Sequence, residues 1–274
     1  MKVQLIDKKF ILFLTSLIIC LSYSVRASAL DYSFTEENPI NGSKVEHYKF
    51  LLMRGKIEVG DYQKLKDFLR VEPALTYFAN SRQIIISSPG GDVREALKLG
   101  DFVRKTFSEV SVGNHFGSCM SSCFLVLASA VSRNWQENTV GLHRPYLTAE
   151  AIERKSASAT MDEQERAMTA VDAYLKHLRV PHHLVNIMMS TPSDKIVWLD
   201  EPNITFGRLS PSYEQMLVTK CGLDIDLERR YFSGKKDVSA RKILDSRECG
   251  YKLTFKDGMN YFVSELGGKP PFSN

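Results

Sequence analysis

A mixed α/β fold with a largely parallel sheet is what this sequence predicts, and three observations carry the expectation. Ile84-Ile85-Ile86 and Val110-Ser111-Val112 are short β-branched runs, the mark of buried strands. Between them Val93, Ala96, Leu97, Gly100 and Val103 recur at helical spacing, so a strand–helix–strand crossover is expected. The chain has 274 residues, 43% hydrophobic and 25% charged, which suits one sizeable core. That composition excludes a disordered chain, a collagen-like fibre and a polytopic membrane protein.

At the N-terminus, Lys2, Lys8 and Lys9 flank an apolar run from Phe10 to Cys20, and Ala27-Ser28-Ala29 reads as a cleavage site. This is the pattern of a secretory signal peptide over residues 1–29. The apolar run falls short of the ~20 residues of a membrane span, with an uncleaved anchor as the competing reading. Removing 29 of 274 residues leaves 245. The leader takes four basic residues and one acid, so the formal charge drops from +4 to +1. The basic bias was mostly targeting, and no nucleic-acid partner is expected. Cys20 goes as well, leaving Cys119, Cys123, Cys221 and Cys249, an even number suited to an oxidising compartment. Export across the inner membrane to the periplasm, with no stable membrane anchor afterwards, is the expected localisation.

The remaining elements follow in order. Residues 30–44 are polar and turn-rich, with Asn38-Pro39 and Asn41-Gly42, and read as a loose arm. Tyr48 to Ile57 reads as a strand. Asp61 follows a glycine turn and is expected to cap a helix through Leu65 and Phe68. The isoleucine strand ends at Ser87-Ser88-Pro89-Gly90-Gly91, and a helix starts near Asp92. Phe124 to Val131 is apolar all round, a buried helix, and Thr139 to Leu142 is a further strand. Beyond Pro145 the pattern turns helical: Ala149 to Lys155, then Asp162 to Leu178 with Met168, Val171, Leu175 and Leu178 on one face, then Leu184 to Met189. Ile196 to Leu199 is apolar, and the turn Gly207 to Pro211 closes a domain over residues 45–211. Residues 212–274 are more polar and read as a small extension tied by Cys221 and Cys249.

Three segments carry candidate chemistry. Ser88-Pro89-Gly90-Gly91 lies between a strand and a helix, where paired glycines expose backbone N–H groups at a helix N-terminus. Gly117 to Cys123 places Ser121 and Ser122 before the apolar helix, where the dipole favours developing negative charge; a plain N-cap is the competing reading. Gly141-Leu142-His143-Arg144-Pro145 ends a strand with a histidine, a residue more often structural when alone. His115, in the loop before Ser121, is a further candidate to line a site, whereas His182 and His183 read as surface or capping residues.

In order and spacing, S-P-G-G-x-V, C-x-S-x-C and G-x-H-R-P resemble the ClpP/crotonase superfamily, in particular the secreted ClpP-like proteins of bacteria. The matching stretch runs from about Lys49 to Pro211. The resemblance implies a spiral of ββα units and a serine hydrolase of peptidase type acting on a peptide or protein substrate. It implies Ser121 as nucleophile, with Ser122 the rival if the register is off by one, and His143 as general base. The N–H groups of Gly91 and Ser122 would form the oxyanion hole. Ala130 stands where the family usually has glycine. For the third triad member the nearest acid is Asp194, two residues displaced from the ungapped position, where Pro192 falls; Thr191 or Ser193 could orient His143 instead, or nothing does. Family members tend to assemble through the helical region after the histidine, so a homo-oligomer is a further expectation. No cofactor and no metal are implied.

Two other classes compete with the hydrolase. One is a weak or inactive ClpP-fold protein that binds a peptide or protein partner. The other is a crotonase-type acyl-CoA enzyme, which suits the cytoplasm better.

Cys119 and Cys123 bracket Ser121 four residues apart, so a helical turn brings their Cα atoms about 6 Å apart, within disulfide range. A bridge there would staple the loop that carries the serine. A metal site lacks a completing motif, a redox pair has the wrong spacing for the thioredoxin type, and pairing with Cys221 and Cys249 is a third alternative. Cys221–Cys249 would close a longer loop and constrain the unfolded state by a few kcal/mol.

Overall fold

The computed structural model describes residues 28–38, 44, 48–146, 156–200, 208–232 and 240–267. The body of the expected leader, the Ala149 to Lys155 helix and Gly207 lie outside the described residues.

Strands β1 (Asp31–Thr35), β2 (Phe50–Arg54), β3 (Gln83–Ser87), β4 (Glu109–Val112) and β6 (Ser132–Trp135) form one sheet in the order β1-β2-β3-β4-β6. Only β1 is antiparallel to its neighbour in this sheet. A second sheet stacks β5 (Cys119–Met120), β7 (Val140–Leu142) and β8 (Val197–Trp198), in the order β5-β7-β8. The expected parallel strands are therefore present. Their buried runs, Ile84 to Ile86 above all, explain why they sit between layers.

The chain repeats one path. It runs through the large sheet, makes a short pairing in the second layer, and returns by a helix. β2 leads to the Ile57↔Gly91 bridge and then to α1 (Asp61–Leu69) and α2 (Ala74–Ser81). β3 leads to the Ser88↔Cys119 bridge and α3 (Val93–Lys105). β4 leads to β5 and α4 (Cys123–Ser129), and β6 leads to β7 and, further on, α5 (Ala157–His177). This is the mixed α/β spiral of ββα turns that the sequence predicts.

Each helix is placed by its apolar face. α3 buries Ala96, Leu99, Gly100, Phe102 and Val103, and the Asp92 carboxylate accepts from the Glu95 N–H at 2.8 Å, so the expected start holds. All seven residues of α4 are buried, as its apolar sequence demands. Asp61 differs from expectation. It is the first helical residue of α1, and its carboxylate turns back to accept from the Glu58 N–H at 2.6 Å.

The segment read as a loose arm contains β1, which pairs along its whole length with β2. Tyr32 and Phe34 point their rings at Phe68, which anchors the strand. The C-terminal extension is helical: α7 (Pro211–Cys221), α8 (Ile225–Phe232) and α9 (Ala240–Glu265), with α6 (His182–Ser190) and β8 preceding them. Cys221–Cys249 joins α7 to α9 with Cα atoms 5.7 Å apart. A small core of Val131, Leu209, Tyr213, Leu217, Leu223 and Ile243 lies beneath. The end of α9 reaches the main core, where Phe262 packs on Phe78 at 5.0 Å between ring centroids. No helix among the described residues is long and apolar enough to cross a membrane.

Candidate active site

Ser121 sits where β5 becomes α4. Cys119 and Met120 pair in parallel with Val140 and Gly141 of β7, and the Ser121 N–H donates to the Gly141 carbonyl at 3.0 Å. The chain then takes a left-handed step, φ +57° at Ser121, before Ser122 begins the helical turn at φ −62°. A serine in that region costs roughly 1–2 kcal/mol, so its surroundings must hold it there. A serine on a sharp strand-to-helix turn has its hydroxyl thrown clear of the backbone. The Ser121 hydroxyl has no hydrogen-bond partner among the described residues. The Ser122 hydroxyl donates to the Gly91 carbonyl at 3.1 Å. The rival serine is thus committed, and Ser121 is free.

The glycine loop lies against this turn. A Cβ on Gly90 would stand 2.7 Å from the Ser121 Cβ, 2.7 Å from the Met120 carbonyl oxygen and 3.0 Å from the Ser122 nitrogen. Gly90 has φ +89° and Gly91 φ +147°, so both need glycine. The Gly90 carbonyl accepts from Ile57, and the Ile57 carbonyl accepts from Asp92, which pins the loop on either side of Gly91. The N–H groups of Gly91 and Ser122 donate to nothing among the described residues.

His143 follows β7 directly, so β5 and β7 end side by side with Ser121 and His143 just beyond. The two side chains share no hydrogen bond among the described residues. They are 8% and 6% exposed, so the site is largely closed to solvent. Nδ1 of His143 lies 2.9 Å from the Arg144 carbonyl. A carbonyl can only accept, so Nδ1 carries the proton and Nε2 of the neutral ring has its lone pair available. Arg144 is itself fixed, its N–H donating to the Thr191 carbonyl at 2.9 Å.

Asp194 is not placed as a triad acid. It is exposed on the turn before β8 and makes no hydrogen bond among the described residues. The atom it was expected to bind is held by the Arg144 carbonyl. Thr191 spends its hydroxyl on the Ile187 carbonyl at 2.7 Å, and Ser193 lines a neighbouring groove. That groove, about 790 Å³, runs between α5 and α6 and is lined by Met161, Met168 and Met189. Tyr146 forms its near wall, with its ring 5.7 Å from that of His143. His115 is exposed and pairs with Glu37 at 2.8 Å, on the surface.

Both expected bridges form. Cys119 and Cys123 are joined with Cα atoms 5.3 Å apart, and both are fully buried, which removes the metal and cross-paired alternatives. Among the described residues no group of three or more His, Cys, Asp or Glu side chains could hold a metal ion.

Two supports of α4 carry no motif. At its C-terminal end the buried Arg133 guanidinium donates to the Ala128 carbonyl at 2.9 Å and to the Leu209 carbonyl at 3.3 Å. Burial pulls its pKa down to about 9, and its charge complements the helix dipole. Along its length Ser129 Oγ meets the Tyr174 hydroxyl at 2.6 Å, and burial pushes that phenol up to about 12, so it stays neutral. The only hint of this second contact in the sequence is Gly100, where a Cβ would stand 2.4 Å from the Tyr174 oxygen.

No protein-family model matches the chain, and no curated protein matches it. Solved structures do. A variant of the membrane-bound stomatin-specific protease 1510-N is 12% identical, over 61% of this chain and 81% of that one, with a TM-score of 0.39. An enoyl-CoA hydratase from Thermoplasma volcanium GSS1 is 11% identical, over 86% of this chain and 96% of that one, with a TM-score of 0.38.

Proposed function

We propose that the chain is an exported ClpP-like serine hydrolase acting on a peptide or another acyl substrate. The observation that carries the reading is the free hydroxyl of Ser121, on a left-handed turn against Gly90, beside two unused backbone N–H groups. Nε2 of His143 takes the proton as the Ser121 oxygen attacks the carbonyl carbon, giving a tetrahedral oxyanion. The N–H groups of Gly91 and Ser122 stabilise that charge, each worth roughly 10²–10³ in rate. Collapse expels the leaving group, which takes the proton from His143, and water then hydrolyses the acyl-enzyme by the same route. The Arg144 carbonyl does the orienting that a triad acid does elsewhere. A carbonyl stabilises an imidazolium less than a carboxylate, so turnover is slow. Assembly into a homo-oligomer and a periplasmic location belong to the same proposal, and the two disulfides suit that compartment.

A fluorophosphonate probe tests it. Wild type is expected to label, Ser121→Ala to lose labelling, and His143→Ala to label at least 100-fold more slowly. Ser122→Ala is expected to keep most of its labelling. Failure of folded wild type to label overturns the reading. Asp194→Asn provides a separate check on the acid: its labelling rate is expected to stay within twofold of wild type, because the carboxylate is exposed and unpartnered among the described residues.

The absence of a carboxylate on His143 among the described residues supports a second reading, a weak or inactive ClpP-fold protein that binds a peptide or protein partner. Unlabelled wild type that still binds peptide would favour it.

A further inference from the structure

We infer that the Cys119–Cys123 disulfide is a positioning device for Ser121, and that the reactivity of the serine depends on it. The inference rests on the hydrolase reading only for its reactivity readout.

Within five residues the chain ends β5, passes a positive φ and starts α4. Two constraints bound its path. The first is strand pairing: the N–H groups of Cys119, Met120 and Ser121 donate to the carbonyls of Thr139, Ser88 and Gly141 at 2.8, 2.9 and 3.0 Å. That excludes a helix that simply begins earlier, since those amides would have to leave the second sheet. The second is the crosslink. An extended chain would separate the Cα atoms of residues 119 and 123 by about 13 Å, whereas the bridge holds them at 5.3 Å. That excludes a strand that runs on. Between these limits the chain reverses at Ser121, with φ +57°. The Phe124 and Leu125 N–H groups then bond to the Ser121 and Ser122 carbonyls, both at 3.0 Å, and the helix begins. Both half-cystines are fully buried in the main core, so the clamp is anchored in close-packed interior. Without the bridge, sheet pairing still fixes the entry to the turn, but nothing covalent fixes the exit. Ser121 and the Ser122 N–H then drift from the glycine loop together.

The test compares wild type with Cys119→Ala/Cys123→Ala and with Cys221→Ala/Cys249→Ala. Fluorophosphonate labelling, hydrogen exchange along the chain and the thermal midpoint are read on each. Loss of the Cys119–Cys123 bridge is expected to slow labelling at least tenfold and to speed exchange of amides 119–124 at least tenfold. Exchange across β2, β3 and α3 stays as in wild type. Loss of the Cys221–Cys249 bridge is expected to leave labelling within twofold, whatever it does to the midpoint. Should Cys119→Ala/Cys123→Ala fail to fold, Cys119→Val/Cys123→Val, which keeps apolar volume at the two buried positions, supplies the same comparison. Labelling that survives loss of the bridge overturns the positioning role and leaves the hydrolase reading standing. Wild type that never labels, with exchange that opens at 119–124 alone, supports the positioning role and overturns the hydrolase reading. Unchanged exchange at 119–124 overturns the inference in either case.

Discussion

Gly90→Ala is expected to abolish fluorophosphonate labelling, at least 100-fold, while the protein still folds. The added methyl would meet the Ser121 Cβ and the Met120 carbonyl oxygen at 2.7 Å and the Ser122 nitrogen at 3.0 Å. None of these is the far end of a flexible side chain. Two are backbone atoms of the Ser121 turn and the third is the Cβ of Ser121 itself. Either the glycine loop or the serine must retreat, and each retreat separates the Ser121 hydroxyl from the N–H groups proposed to receive the oxyanion. Displacements near 1 Å at a reacting centre cost about 100-fold. Two companions separate this effect from general strain. Gly60→Ala, at φ +98° with nothing within 4 Å of the new methyl, carries the strain alone and is expected to cost about 1 kcal/mol of stability with labelling intact. Gly91→Ala puts the methyl 1.9 Å from the Ile57 carbonyl oxygen, the acceptor of the Asp92 N–H, and is expected to damage the fold as well as the site. Labelling rates beside thermal midpoints for the three variants check this, and a Gly90→Ala protein that labels normally would refute it.

Phe262→Ala is expected to cost roughly 3–5 kcal/mol in urea unfolding, the range for a buried phenylalanine emptied to alanine. Phe262 is fully buried, with ring centroids 5.0 Å from Phe78 and 6.2 Å from Phe102. Phe102 belongs to α3 and Phe78 to α2, so the cavity opens inside the main core although the residue comes from the last helix. Leu253→Ala, half-exposed on the same helix, is expected to cost little. An equally small loss for both variants would show instead that α9 adds little to the main core.

That last helix also marks where sequence reasoning ran out. Phe255, Met259 and Phe262 recur at helical spacing, but they sit among so many charged residues that the segment reads as polar. β6, Ser-Arg-Asn-Trp, has no strand pattern of its own and is held by pairing with β4. β1 was hidden by the turn residues beyond it, although Tyr32 and Phe34 alternate as a strand should. Where the pattern was local and periodic it was legible. The spacing of Val93 to Val103 located α3, the uninterrupted apolar run located α4, and a separation of four located a disulfide. At the candidate site, residue types and order pointed to Ser121, His143 and the glycine pair. The left-handed turn, the commitment of the Ser122 hydroxyl and the carbonyl partner of His143 are properties of the folded backbone, and no residue type encodes them. Asp194 shows the same limit: an acid at about the right distance in sequence says nothing of which atom already lies against Nδ1.

α4 and α5 differ in a way that bears on how such a molecule can change. Every residue of α4 is buried, so the helix that follows Ser121 tolerates almost no substitution without loss of packing. α5 is three times as long yet buries only Val171 and Leu175, and its face from Thr160 to Asp172 lines the methionine groove. Mutations are therefore filtered very differently in the two places. Drift in α5 reshapes the groove while the turn at Ser121 stays as it is, so the two can change at different rates across generations.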